Sequence, residues 1–336
     1  MPFIHANAFS TLSRRAWLRS AMAATAVAAL PAWAQERGKS TVRLVVPFAP
    51  GGGNDVFARQ MTHGLTEMFG YNMVVENKAG AGGNLGTEMV VRASPQSETY
   101  LLGHTGTVSI NPVLYKGLKF NAATDLQPVA MFASSALLLV VPATSPIQSV
   151  EQLVQALRSR GAQMNYASSG SGTGGHLTGA MLAHLLGVQA THVPYKGTAP
   201  SLTDVAGGLV DFSFSVIPAA QALVKAGKLR ALAVSGDKRH AQLPGVQTVA
   251  ESGVPELAQF ESSLTYGLLA PKGASAAQVK KLADEVLQVA ALPAFQSRLG
   301  VEGAVPMLGN SRAYARKIQQ ESAKWEAVIK ASGASV

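Results

Sequence analysis

Asn165-Tyr-Ala-Ser-Ser-Gly-Ser-Gly-Thr-Gly-Gly-His-Leu-Thr-Gly179 is the stretch on which the fold of this chain turns. A short apolar run at 164–167 suits a β-strand, and the periodic segment 175–187 suits a helix, so the glycine and hydroxyl residues between them form a strand-to-helix turn. Gly170, Gly172 and Gly175 spell G-x-G-x-x-G there. Such a turn fits three chemistries: a dinucleotide site, a serine hydrolase loop, or a cradle for another anion.

The same pattern recurs on both sides of this stretch. Residues 42–46, 73–76, 100–103 and 137–141 read as earlier strands, and 191–194, 210–214, 229–234 and 265–269 as later ones. Helices are predicted after the glycines at 51–53, near 84–92, briefly after Thr105-Gly-Thr107, and at 149–160, 198–207 and 218–227. Two amphipathic helices at 275–299 and 311–332 close the chain. Strands alternating with helices predict an α/β fold with mostly parallel sheets flanked by helices on both faces.

A chain of 336 residues, 47% of them apolar, is long enough for two lobes. No low-complexity linker separates them, so the chain is expected to cross between lobes more than once, near 140 and 264. This gives a first lobe of 35–140 plus 265–336 and a second of 141–264. Residues 1–34 read instead as an export signal: a basic segment with Arg14, Arg15 and Arg19, an apolar run from Ala21 to Leu30, and Ala32-Trp33-Ala34 as the cleavage site. The run is too short to span a bilayer. The arginine pair before Trp17 and Leu18 is similar to a twin-arginine signal, with the general secretory route as the alternative.

Losing the three leader arginines lowers the formal charge from +9 to +6. That balance suits anionic ligands, but no basic run interleaved with aromatics points to nucleic acid. Without cysteine, disulfides, thiol catalysis and thiolate metal sites are excluded. No later apolar run approaches about 18 residues, so the mature chain is expected to be soluble.

A dinucleotide turn requires an acid about 20 residues on, at the end of the next strand, to hold the ribose. That strand ends His192-Val-Pro-Tyr-Lys196, and Asp204 falls within a helix. A nucleophile elbow requires G-x-S-x-G, whereas Ser171 is flanked directly by Gly170 and Gly172, and His176 starts the same helix instead of arriving from a distant loop. His176 and His184 lack the one-turn spacing with which two imidazoles share a metal. No cofactor or metal is therefore expected. The anion cradle accounts for all the turns together, because helix N-termini present unpaired N–H groups and partial positive charge. Ser168, Ser169, Ser171 and Thr173 add hydroxyls to one turn, Thr105 and Thr107 to a second, and Thr198 opens a third helix. In any single turn glycines and hydroxyls merely cap a helix; with the glycine triplet at 51–53, four such turns point to a binding cleft.

Several segments, in order from about 41 to 330, resemble a known family. They are Val46-Pro-Phe-Ala-Pro-Gly-Gly-Gly-Asn-Asp55, Val75-Glu-Asn-Lys-Ala-Gly-Ala-Gly-Gly-Asn84, Asn111-Pro112 with Leu114-Tyr115, Asn165-Tyr-Ala-Ser-Ser-Gly170, His192-Val-Pro-Tyr-Lys-Gly197 and Lys225-Ala-Gly-Lys-Leu-Arg-Ala-Leu-Ala-Val234. Together they are similar to the extracytoplasmic solute-binding proteins of tripartite tricarboxylate transporters, the Bug family. The resemblance implies a two-lobed, type II-like Venus flytrap of the periplasmic binding protein kind. It implies a monomer without enzymatic activity that holds a small carboxylate for membrane permease subunits or a sensor. Aromatic acids such as terephthalate fall within what the family holds.

Carried over by position, Phe48, Pro50, Gly51, Gly52, Asp55, His104, Thr105 and Thr107 would supply the first lobe's contacts. Ser168, Ser169, Ser171, Thr173, Thr198 and Ala199 would supply the second's. Asp55 is expected to order the first helix, and His104 to shape its loop or reach the ligand. Ser215 stands where members often carry an acid, which leans the ligand away from amino acids toward plain mono- or dicarboxylates. The alternative is a secreted α/β enzyme acting on an anionic substrate, which would need a base or nucleophile held by a third group in the cleft.

Overall fold

The computed structural model describes residues 41–333, so the leader expected over 1–34 lies outside the described residues. In chain order, β1 (Thr41–Val46), α1 (Gly53–Phe69), β2 (Asn72–Asn77), α2 (Asn84–Val91) and β3 (Thr99–His104) come first. A π-helical turn at Gly106–Ile110, α3 (Asn111–Leu114) and α4 (Ala122–Asp125) lead into β4 (Leu126–Pro142). Next come α5 (Val150–Arg160), β5 (Asn165–Ser168), α6 (Gly174–Leu185), β6 (Thr191–Pro194), α7 (Thr198–Ala206), β7 (Phe212–Val216), α8 (Ile217–Lys225) and β8 (Leu229–Val234). The chain finishes with β9 (Ser263–Pro271), α9 (Ala276–Ala290), α10 (Pro293–Val301), β10 (Ala304–Asn310) and α11 (Ser311–Ser332).

The predicted α/β class holds, with its parallel pairing confined to two flanks. β1 lies parallel to β2 and β3, and β5 lies parallel to β6 and β7. Between the flanks, β4 and β9 run antiparallel to each other and to their other neighbours. β1 is covered on both faces, with Leu44 and Val46 in one apolar core and Val45 in another, which is why it reads as an unbroken apolar run.

β4 joins the two halves of the molecule. Its first part pairs with β9 and β10, and its second, from Leu137, pairs with β7 and β8. Sequence patterning finds only the second part, because Pro128 and the register shifts between Pro128 and Ala130 and between Met131 and Ala133 break the two-residue alternation of the first. β10 escapes for the same reason, as an edge strand interrupted by Pro306 and Gly309. The helix expected over 275–299 is two helices. Pro293 disfavours helical geometry at Leu292, which is extended, and then starts α10.

α11 crosses between the halves. Tyr314 and Ile318 pack with Val45, Leu101 and Leu269, whereas Trp325, Val328 and Ile329 belong to a core with Leu177 and Met181 of α6. The Glu321 carboxylate anchors this passage, taking the Trp325 indole N–H at 2.9 Å and the Lys317 and Lys324 ammonium groups at 3.0 and 3.1 Å.

Candidate functional site

Where the turns of the two halves meet lies a cavity of about 350 Å³. On the side of β1, β3 and β9 its wall is aromatic. The turn after β1 carries Phe48, the start of the second turn of α1 carries Phe57, and neighbouring strands carry His104 and Tyr266 as a ladder pair. Phe48 stacks on the His104 ring at 5.0 Å, and Phe57 meets Tyr266 edge-on at 5.0 Å.

His104, like Asn54 and Tyr266, is a polar group of this wall. The Gly106 N–H donates to its Nδ1 at 2.8 Å, and a methyl on Gly106 would strike the imidazole, so glycine lets the ring fold back over the turn. Burial pushes the His104 pKa down to about 4. The ring is therefore neutral at pH 7, and because Nδ1 accepts a bond the proton sits on Nε2, a donor on the cavity lining.

The opposite wall comes from the turns after β5 and β6 and from the end of β7, and is built of hydroxyls and amides. Ser169, Ser171, Thr173, Thr198 and Ser215 line it together with Gly172, Gly174 and Gly175. The hydroxyls of Ser169, Ser171, Thr198 and Ser215 hold no hydrogen bond among the described residues. Thr173 donates its own to the Gly170 carbonyl at 2.7 Å.

Four helices of nine or more residues begin at the cavity: α1 at Gly53 and Asn54, α6 at Gly174 and Gly175, α7 at Thr198, and α8 next to Pro218 and Ala219. None has a capping side-chain bond. Three helices that start elsewhere do: α4 is capped by Asn121, α5 by Ser149 and α11 by Asn310. α2, α9 and α10 are uncapped as well, off the lining, and the four-residue α3, also uncapped, runs on from the π-helical turn. The unpaired N–H groups and positive dipole ends gathered at the cavity favour an anion. No lysine or arginine lines it among the described residues, and its one lining acid, Glu302, has the Arg298 guanidinium 3.6 Å away. The side-chain oxygen of Asn54, on the lining, is buried without a partner.

Of the residues expected from sequence, Phe48, His104, Ser169, Ser171, Thr173, Thr198 and Ser215 lie on the walls. The rest do not. Pro50, Gly51, Gly52 and Ala199 are exposed and off the lining. Asp55 is buried and takes bonds from the Gly51 N–H at 3.0 Å, Arg59 at 2.9 Å and Asn77 at 3.0 Å, fixing the turn that opens α1. Burial alone would raise its pKa, but those bonds outweigh it and hold the carboxyl below its ordinary value. Thr105 accepts the Thr265 N–H at 2.9 Å, and Thr107 bonds both backbone groups of His104. Ser168 is buried behind its turn, 2.7 Å from His192 Nε2.

Asn54, Phe57, Leu264 and Tyr266 were missed. On a strand or near a helix start, apolar and aromatic residues look like ordinary core; Asn54, inside the first glycine segment, carries the one available signal. Among the described residues no nucleophile and base meet on the walls. Ser168 and His192 form a hydroxyl–imidazole pair, yet Ser168 is off the cavity and no carboxylate orients His192 among the described residues.

Two α/β halves around a cleft of amides, hydroxyls and rings define a solute-binding protein. The chain belongs to the tripartite tricarboxylate transporter family of receptors, whose pattern its residues 57–334 match. Among solved structures it is similar to Rpa4515 of R. palustris with adipate, at 33% identity and a TM-score of 0.77, over 89% of this chain and 99% of that one. The periplasmic binding protein BugD is 33% identical with a TM-score of 0.73, over 88% and 99% of the two chains. MatC of Rhodopseudomonas palustris, with bound malate, is 30% identical with a TM-score of 0.72, over 86% and 99%. Family and structural neighbours are binding proteins, in keeping with a site that lacks a nucleophile–base pair.

Proposed function

We propose that this protein is an exported receptor that captures a small carboxylate in the cavity and delivers it to the permease subunits of a tripartite tricarboxylate transporter or presents it to a sensor. The observation that carries the reading is the convergence of four uncapped helix N-termini on a cavity without a lining cation. Amides and hydroxyls hold a carboxylate there without a salt bridge, and the rings of the other wall cover its apolar body. Adipate and malate in two similar proteins support the ligand class. Ser215 supplies a hydroxyl where an acid would receive an ammonium, which favours plain mono- or dicarboxylates, terephthalate included, over amino acids.

The leader would send the chain to the periplasm, with removal after about Ala34. In this reading 35–140 with 265–336 form one lobe and 141–264 the other, and ligand favours a closed state because only there do both walls reach it. Calorimetric titration of the chain from Gln35 with adipate, malate and terephthalate, and with a diamine of adipate's length, tests the proposal. Binding of at least one acid and not of the diamine is expected, with a smaller radius of gyration in solution scattering when the acid is bound. Binding of the diamine alone, or of none of the acids, overturns the carboxylate reading.

A further inference from the structure

Behind the hydroxyl wall two imidazoles lie face to face. His176, on the first turn of α6, and His192, on β6, have ring centroids 3.8 Å apart and planes 16° from parallel. Neither lines the ligand cavity; both border a second cavity of about 360 Å³, together with Tyr166 and His184. Each ring holds the turn whose other side faces the ligand. The Gly172 N–H donates to His176 Nδ1 at 3.1 Å. His192 Nε2 lies 2.7 Å from the Ser168 hydroxyl, which in turn bonds the carbonyl and N–H of Gly170 at 2.9 and 3.1 Å. Gly170 and Gly172, at φ of +139° and +77°, adopt backbone conformations open to many alternatives in glycine. The side-chain bonds from behind select one of them. Between and beside these two anchored glycines stand Ser169 and Ser171, which line the ligand cavity.

We propose that His176 and His192 are positioning residues for ligand binding: as a stacked pair they fix the backbone of 168–172 and thereby preset the directions in which Ser169, Ser171 and the start of α6 meet an anion. This deepens the carboxylate reading and rests on it for the ligand. The pair suits the task because an acceptor nitrogen is what the Gly172 N–H requires. Two cationic rings at this separation would repel. No carboxylate borders the second cavity among the described residues to stabilise a charged ring; the titratable groups there are Tyr166 and His184. Burial pushes both ring pKa values down to about 4, for His192 with a contribution from His176. A protonated His176 would turn its acceptor into a donor facing the Gly172 N–H. Tyr166 closes the stack at 5.1 Å from His192 and donates to the His176 carbonyl at 3.2 Å, so the rings move with β5 and α6 as a unit.

The test compares H176L and H192L, which keep bulk without the ring nitrogens, with H176N and H192Q, which return a polar atom near Nδ1 and Nε2. Adipate serves as the probe ligand. The leucine variants should weaken adipate at least about tenfold and speed amide hydrogen exchange across 168–175 in the free protein, while the amide variants recover affinity to within about threefold. In the wild-type free protein, imidazole nitrogen shifts should report His176 as the Nε2–H tautomer. Leucine variants with wild-type affinity and exchange, amide variants no better than leucine, or a His176 proton on Nδ1 each overturn the proposal. If wild-type protein binds no carboxylate, the functional reading fails by itself, and exchange and tautomer in the free protein still decide whether the pair positions the turn.

Discussion

Phe48, Phe57, His104 and Tyr266 reach the cavity from one half of the molecule, and Ser169, Ser171, Gly174 and Thr198 reach it from the other. The first set offers area and two ring donors, His104 Nε2 and the Tyr266 hydroxyl; the second offers many donors and little area. Apolar contact is proportional to surface and indifferent to direction, whereas hydrogen bonds to a carboxylate demand it. A ligand with a charged head and an apolar body is thus oriented by the contrast itself. Changes to the polar wall should alter whether an anion binds at all, and changes to the ring wall should alter which one.

The largest effect expected is from Ser169→Asp. A second negative charge about 4 Å from the ligand head costs roughly 4 kcal/mol at an effective dielectric of about 20, so adipate affinity should fall by more than about 100-fold in calorimetry. A loss under tenfold would remove the anion from that wall. Next, Phe48→Ala removes a half-buried ring and its stack on His104. Ring pairs contribute about 0.5–1.5 kcal/mol beyond the area they bury, so adipate should weaken about tenfold. A four-carbon diacid should lose less, and equal losses for both would break the division of labour between the walls.

Acid should weaken the molecule through both walls. His104, His176 and His192 are held near 4 by burial, below the ordinary 6.5, and are neutral when folded. Between pH 6.5 and 4 the unfolded chain binds more protons, so their contribution is complete above pH 6.5 and is lost as the pH falls through that window. A Tm lower by roughly 5 °C at pH 5 than at pH 7 is expected, with a smaller drop in His104→Gln. A flat profile would mean that these rings are charged in the fold. The smallest effect tests the capped ends: Ser149→Ala at the start of α5 should cost about 1 kcal/mol of stability and leave adipate affinity unchanged, since that cap satisfies its own helix and faces no ligand.

Much of this was legible in the sequence because local chemistry decided it. The glycine and hydroxyl turns entering α1, α6 and α7 pointed to helix ends suited to an anion, and those ends line one cavity. Which hydroxyl faces that cavity is a tertiary fact. Ser168 and Ser169 are neighbours in one turn, yet one is turned back to His192 and the other forward to the wall. Tyr266 looked like strand core because its place on the cavity depends on β9 lying beside β3, a pairing set by residues more than 150 positions apart. His192 lay in a segment notable for lacking an acid, and nothing local linked its ring to His176.

The shared strand and the last helix bear on how the chain unfolds. β4 gives its hydrogen bonds to both sheets, and α11 gives Tyr314 to one core and Trp325 to another. Melting either half alone would strip a ladder from β4 and uncover one end of α11, so the loss is charged to both halves at once. Heat should therefore take this chain apart in a single cooperative transition, its calorimetric and van't Hoff enthalpies in agreement. With no half-melted form expected, a molecule joined in this way would offer a protease no unfolded half to cut.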